Sequence, residues 1–264
     1  VIKQQKDLAQ DRASDLADSI HRNLNYIHGI PELFSQGPRF IKIVLPFGVS
    51  TTPSALPQEV RAQRWSSDPE LKDLNRFLAR VQDTLHADLI YVVNAAGDCI
   101  AASNADTQWS PIGFNFAERI FFAMNRRGQN GMQYAVGKAT NIAGLYFSSP
   151  IMVDGRFMGA VVAKVDVPSL SFLISKVNAF ISDENGVIIL AHDKTLEMSA
   201  FAGAPIFSMP EKQQHDRYRR NSFPPLSIEP WVDSRFPQLL RIQDSGMESP
   251  HVLAEESVAK YGLR

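Results

Sequence analysis

The residues with the most chemical potential lie between Phe114 and Lys164. Arg119, Lys138 and Lys164 are interleaved there with Phe116, Phe121, Phe122, Tyr134, Tyr146 and Phe147, and Thr140 and Ser148 add hydroxyls. Lys164 has the sharpest context, because Ala160-Val-Val-Ala163 precedes it and Val165 follows it, all apolar. A cation among apolar side chains is costly to bury without an anion to meet it. Strand alternation places Lys164 on one face with Val162 and Asp166. A small carboxylate is a natural guest for arginine, lysine and hydroxyl groups, since charge-assisted hydrogen bonds are the strong ones. A second reading stays equally open: Arg119 and Lys164 face solvent, or pair with internal acids such as Glu118 or Asp166.

Other chemistries fail on spacing. Gly131-Met-Gln-Tyr-Ala-Val-Gly137-Lys138-Ala-Thr140 approaches a phosphate loop, but Gly131 is one position too far from Gly137. Ala139 also stands where Ser or Thr would hold magnesium. The histidines at 21, 28, 86, 192, 215 and 251 are scattered, without zinc-ligand spacing. Cys99 is the single cysteine, which excludes an internal disulfide framework and reads as a small core residue. No serine sits in a nucleophile elbow. No catalytic residue, metal or cofactor is therefore expected. The chain carries 27 Lys+Arg against 28 Asp+Glu in 264 residues. That balance argues against a generally basic nucleic-acid binder and an acidic disordered tail. No apolar run approaches the roughly 18–20 residues of a membrane-spanning helix.

The elements that must position these residues give an α+β reading. A long amphipathic helix is predicted from Ile2 to Ile27. Its stripe of Ala9, Ala13, Leu16, Ile20, Leu24 and Ile27 serves either as a dimer seam or as packing on its own domain. Gly29 and Pro31 end it. Residues 46–67 read as an irregular connection. A second helix starts at Asp68-Pro69-Glu70, a cap, a first-turn proline and a dipole-matched acid. Leu89–Val93 and Cys99–Ala102 form a hairpin around Ala95-Ala-Gly-Asp98. A short helix spans Phe116–Arg126. Three strands follow, Gln133–Lys138, Leu145–Ile151 and Phe157–Val167, the last two joined by Asp154-Gly155. After a helical connector at Ser169–Lys176 the strand–turn–strand pattern returns at Asn178–Leu190. The recurrence suggests two copies of one module. Residues 211–221 read as a solvated loop and Pro250–Leu263 as a helix. The start at Val1 without an initiator Met, and helical patterns at both ends, suggest a soluble segment excised from a longer protein.

Four stretches then carry a resemblance. Phe114-Asn-Phe-Ala-Glu-Arg-Ile-Phe-Phe-Ala-Met, Tyr134-Ala-Val-Gly-Lys-Ala-Thr140, Gly144-Leu-Tyr-Phe-Ser-Ser-Pro-Ile151 and Gly155-Arg-Phe-Met-Gly-Ala-Val-Val-Ala-Lys-Val-Asp166 follow one another as in double Cache ectodomains. These are the paired PAS-like extracytoplasmic sensors of bacterial receptors, and the chain most resembles those of C4-dicarboxylate sensor histidine kinases. The resemblance implies a long N-terminal helix (1–36) and a ligand-binding, membrane-distal module (37–167). It further implies a membrane-proximal module (168–249) and a C-terminal helix towards the membrane (250–264), each module being an antiparallel sheet flanked by helices. It implies a periplasmic location, flanking membrane spans, a homodimer through the N-terminal helix, and a small organic acid as ligand.

By motif, Arg119 resembles the carboxylate-binding arginine and Lys164 the lysine that meets a second carboxylate. Phe122 resembles a pocket wall, Tyr146 and Ser148 the pocket residues of one strand, and Thr140 and Gly144 the loop over the ligand; Phe116 and Tyr134, from the aromatic-rich stretch, join them as candidate ligand-binding residues. Phe116, Leu145 and Ala143 stand where the family often has Tyr, Tyr and Arg. These departures imply a pocket with fewer donors, suited to a smaller or less polar acid.

Overall fold

The computed structural model describes residues 2–175, 177–242 and 249–264. Val1, Lys176 at the end of the predicted connector, and 243–248 in the expected second module lie outside the described residues. The chain divides into two compact units, one of residues 24–166 and one of residues 1–23 with 167–264.

The 24–166 unit is built on a five-stranded antiparallel sheet. Its strands are β1 (Leu89–Asn94), β2 (Cys99–Ala102), β3 (Gly131–Val136), β4 (Ala143–Val153) and β5 (Arg156–Asp166), in the order β2-β1-β5-β4-β3. β5 is central, and its Lys164 pairs with Leu89 on one side and Tyr146 on the other. Leu89, Lys164, Tyr146 and Gln133 therefore form one row across the sheet, and Tyr91, Val162, Ser148 and Gly131 the next row on the same face. α5 (Ile120–Asn125) packs on this face, with Phe121 stacked on Tyr146 at a ring-centroid distance of 6.0 Å.

The opposite face meets α1 (Ile2–Ser35), where His28 lies edge-on to Phe147 at 5.6 Å and Ser35 Oγ donates to Ser149 Oγ at 3.0 Å. These contacts explain why α1 runs through Gly29 and Pro31 rather than ending there. An interior proline costs about 3 kcal/mol. The following turn nevertheless buries Ile30 and Ser35 in the same unit, so tertiary packing outweighs the local penalty. Ile20, Leu24 and Ile27 of the apolar stripe are buried within their own chain, so this part of the stripe is internal packing, while Ala9, Ala13 and Leu16 are half-buried.

Between α1 and β1 lie α2 (Pro38–Val44), α3 (Gln58–Ser67) and α4 (Pro69–Leu85). α4 starts as expected, with the Asp68 side chain accepting from Leu71 N–H at 3.1 Å. Residues 48–57 are irregular as expected, but α3 replaces the end of that segment, with Trp65 its buried residue. Its mean polarity hid it, because one anchoring aromatic gives no period. Cys99 is fully buried, and burial pushes its thiol pKa up.

The second unit repeats the first hairpin atom by atom. Asn94 Oδ1 accepts from Ala96 N–H at 3.0 Å and Asp98 N–H at 2.9 Å. Asp183 Oδ1 accepts from Asn185 N–H at 3.0 Å and Val187 N–H at 3.1 Å. Gly97 and Gly186 follow with φ of +87° and +72°, a region glycine enters without steric cost. Both hairpins also carry a register shift just before the turn. In the second unit β6 (Phe180–Ser182) pairs with β7 (Ile188–Ala191) over a core of Ile188, Ala191, Leu196 and Leu226. α6 is a short helix at Ser171–Ile174.

Residues 211–221 differ from expectation. α7 (Glu211–Tyr218) is helical, and its Arg217 is buried beside Glu184 (2.5 Å) and Asp183 (3.6 Å). His215, Arg219 and Arg220 are exposed as expected, but Arg217, which also read as solvated, holds the Asp183 turn from across the unit. Residues 250–264 are not an α-helix either. His251 bridges to Leu240, and Arg264 exchanges backbone hydrogen bonds of 3.0 and 2.8 Å with Ser182. Those bonds give the edge of β6 the backbone partners it needs.

Burial raises the Asp183 pKa, although Arg217 and the Tyr218 hydroxyl oppose the shift. A carboxyl whose folded pKa is raised contributes stability below its unfolded pKa, and loses it as pH rises through the folded value. Asp183→Asn should keep the turn, since Asn94 does the same work in the first hairpin. It should also flatten the loss of stability on going from mildly acidic to neutral pH. Asp183→Ala should cost about 2–4 kcal/mol by stranding two buried N–H groups and a hydroxyl. Denaturant melts at several pH values measure both.

Candidate functional site

The site forms on the α5 face of the sheet, under the loop from 137 to 142 that joins β3 and β4. Gln133, in the Lys164 row, accepts from Ile120 N–H through Oε1 at 2.9 Å and so ties the start of α5 to β3. That fixes Arg119 immediately before the helix. Its Nη2 donates to Val136 O at 2.9 Å and its Nε lies 3.3 Å from Glu118 Oε1. Arg119 is only 3% exposed.

Lys164 is 1% exposed. Its Nζ donates to Ile142 O at 3.1 Å, approaches Thr140 Oγ1 at 3.5 Å, pairs with Asp166 and lies 5.7 Å from the Tyr146 ring centre. Lys138 completes the group. Its Nζ donates to Asn115 O at 2.5 Å, pairs with Glu118 at 2.7 Å and lies 5.3 Å from the Phe116 ring centre.

Arg119, Lys138 and Lys164 thus meet the carboxylates of Glu118 and Asp166, with Asp88 accepting from Asp166 N–H at 2.8 Å behind them. Burial raises the Asp166 pKa while the Lys164 ammonium pulls it down, and the nearby Asp88 adds to the rise. Gly144 is needed beneath Lys164, since a Cβ there would come within 2.4 Å of the lysine Cε and 2.9 Å of Val165 O.

A cavity of about 10 Å³ lies between Tyr91, Phe116, Lys138, Thr140, Tyr146 and Lys164. That is room for about one water. A larger cavity of about 500 Å³ occurs in the other unit, walled largely by Leu16, Ile20, Phe180, Phe201, Leu240 and similar side chains. Its size suits a ligand, but the convergent buried cations lie at the small one. Binding an acid at the small cavity therefore requires side chains or the 137–142 loop to move outward.

The expected residues separate into three groups. Arg119, Phe116, Thr140, Gly144, Tyr146 and Lys164 come together at the cavity or directly beside it. Ser148 shares the face one row away, with its hydroxyl on Gly131 O at 3.4 Å. Phe122 and Tyr134 lie elsewhere. Phe122 meets Phe157 edge-on at 5.5 Å. Tyr134 pairs with Leu145 and so points to the opposite face. The aromatic of α5 nearest the site is Phe121. Tyr91, Lys138, Glu118 and Asp166 belong to the cluster as well. Alternation along Leu89–Asn94 marks Tyr91 as co-facial with Leu89, but only the β1/β5 register brings it beside Lys164.

The sequence profile of the Cache domain family matches residues 1–236. The chain belongs to the Cache domain family. The C4-dicarboxylate transport sensor protein DctB of Rhizobium meliloti is 28% identical over 124 residues, 46% of this chain and 20% of that protein. The chain thus spans about a fifth of that relative's length. The Vibrio cholerae histidine kinase DctB sensor domain superposes with a TM-score of 0.73 at 18% identity, covering 99% of this chain and 95% of that one. The ligand-binding domain of the Pseudomonas aeruginosa amino acid chemoreceptor PctC, in complex with GABA, gives a TM-score of 0.52 at 13% identity over 85% and 88%. The chain is a Cache sensor domain of the kind found in DctB-like two-component sensor kinases.

Removing Asp166 should expose how the site is balanced. Asp166→Asn leaves the Lys164 ammonium buried without its counter-charge, a loss worth about 1–3 kcal/mol after allowing for partial solvent access. The ligand-free melting temperature should fall by several degrees, and a bound carboxylate should restore more of it than it adds to the parent protein. Equal ligand-induced shifts in both proteins would show that Asp166 and the acid do not compete for Lys164. Gly144→Ala should displace Lys164 and weaken carboxylate binding in titration calorimetry.

Proposed function

We propose that this chain is the extracytoplasmic, periplasmic sensor part of a bacterial membrane histidine kinase. Its 24–166 unit binds a small carboxylate between the sheet, α5 and the 137–142 loop. The observation that supports this is the convergence of Arg119, Lys138 and Lys164 on one sheet face. Glu118, Asp166 and the carbonyls of Val136 and Ile142 hold these cations in the present state. A carboxylate from outside would take over some of those bonds, and Tyr146 and Phe116 would flank its carbon skeleton.

Signalling then follows from differential affinity: an acid that binds the widened and the closed site unequally shifts their populations. α1 contributes residues to both units and is the natural carrier of the change towards the flanking membrane spans. With Ile20, Leu24 and Ile27 of its stripe used internally, pairing of two copies along the later turns of α1 would use the outer face, where Tyr26 and Leu33 are exposed.

A second reading concerns the ligand. The carboxylates of Glu118 and Asp166 could meet an ammonium, which would suit an amino acid and a chemoreceptor output. Thermal melts of ligand-free protein with acetate, malonate, succinate, L-malate and 4-aminobutyrate decide between these. An acid at 100 times its Kd adds about 2.7 kcal/mol, or about 5–10 °C for a chain of this size. Arg119→Ala should remove the shift while the far-ultraviolet circular dichroism stays unchanged. No shift with any of the five would sink the reading, and a shift with 4-aminobutyrate alone would favour the chemoreceptor.

A further inference from the structure

Tyr91 is the buried tyrosine of β1, fully enclosed on the ligand face of the sheet. It opposes Val162 on β5, one row from Lys164. Its ring leans on Phe116 with centroids 5.1 Å apart, and it lines the same small cavity as Lys138, Thr140, Tyr146 and Lys164. Its hydroxyl has no hydrogen-bond partner among the described residues.

Buried hydroxyls are almost always paired. Leaving one unpaired costs about 1–3 kcal/mol, a cost that phenylalanine would avoid at the same packing. The phenol also stays protonated and so remains a donor. Burial and the neighbouring Tyr146 push its pKa up, and only Arg119 pulls against them. In the structure at hand the cavity beside it has room for about one water. An acceptor of any greater size reaches the hydroxyl only when the site widens.

We propose that Tyr91 is a specificity-determining residue of this sensor, whose hydroxyl donates to an oxygen of the bound acid. This rests on the carboxylate reading above and deepens it. The three cations supply charge, which any small anion satisfies. Tyr91 demands an acceptor oxygen at a fixed place against the sheet, as a buried donor rejects analogues that cannot complete its bond.

Tyr91→Phe removes only that hydroxyl. The test compares it with the parent protein, both ligand-free, in melts and in titration calorimetry with acetate, malonate, succinate, L-malate and 4-aminobutyrate. Tyr134→Phe, on the opposite face, is the control for loss of a buried tyrosine hydroxyl. The expected result has two parts. The melting temperature of ligand-free Tyr91→Phe equals or exceeds that of the parent, while its affinity for the tightest-binding of the five falls at least tenfold. Tyr134→Phe leaves the affinity unchanged.

Unchanged affinity in Tyr91→Phe, with the parent still binding, would overturn the role of Tyr91 and leave the carboxylate reading standing. A joint fall in ligand-free stability and affinity would make the hydroxyl structural and also overturn it. A parent protein that binds none of the five would overturn both.

Discussion

An ammonium group fixed in the central strand of a sheet, almost wholly removed from water, has to find negative charge or hydrogen-bond acceptors close by. Lys164 imposes that condition on the 24–166 unit, and much of the surrounding geometry answers it. Gly144 opposite leaves the space in which the lysine stem lies. The 137–142 loop folds back so that Ile142 O and Thr140 reach Nζ, with Gly137 N–H closing on Ile142 O at 2.9 Å. Asp166, two residues on and on the same face, supplies the carboxylate. Arg119 and Lys138 are settled in the same way, by Glu118 and by main-chain carbonyls.

The cations share acceptors that belong to the protein, and two of those acceptors are acids, whose place a bound acid would take under the proposed reading. Asp166, its pKa raised by burial, is the less comfortable of the pair members. Under that reading, exchanging one carboxylate for another would change little in total charge and much in position, the kind of difference through which a ligand moves a two-state equilibrium.

The two units share one solution to turning a chain. A side-chain oxygen, from Asn94 in one and Asp183 in the other, takes two backbone N–H groups of the turn, and a glycine follows with positive φ. Around that common hairpin the units diverge. The first continues into long strands that bury Lys164. The second continues into short pairs held by the Asp183–Tyr218–Arg217 group. The difference is visible in proline content, since Pro205, Pro210, Pro224, Pro225, Pro230 and Pro237 deny long ladders to the second half.

The sequence alone determined whatever depends on neighbouring residues. The period-two pattern placed the strands of the first unit, Gly97 and Gly186 marked the repeated turns, and the apolar flanks of Lys164 identified a cation that needed a partner. It also allowed that Glu118 and Asp166 would be those partners, which the structure now shows. Tertiary structure decided what depends on alignment between elements. The register of β3 on β4 sent Tyr134 to the far face, the phase of α5 put Phe121 rather than Phe122 against Tyr146, and the register of β1 on β5 brought Tyr91 into the cavity. It also carried α1 past Pro31 and turned Arg217 inward. Periodicity fixes which residues of one strand share a face, but a shift of one residue between strands exchanges the faces. That shift is set by long-range pairing and core packing, which no local pattern encodes.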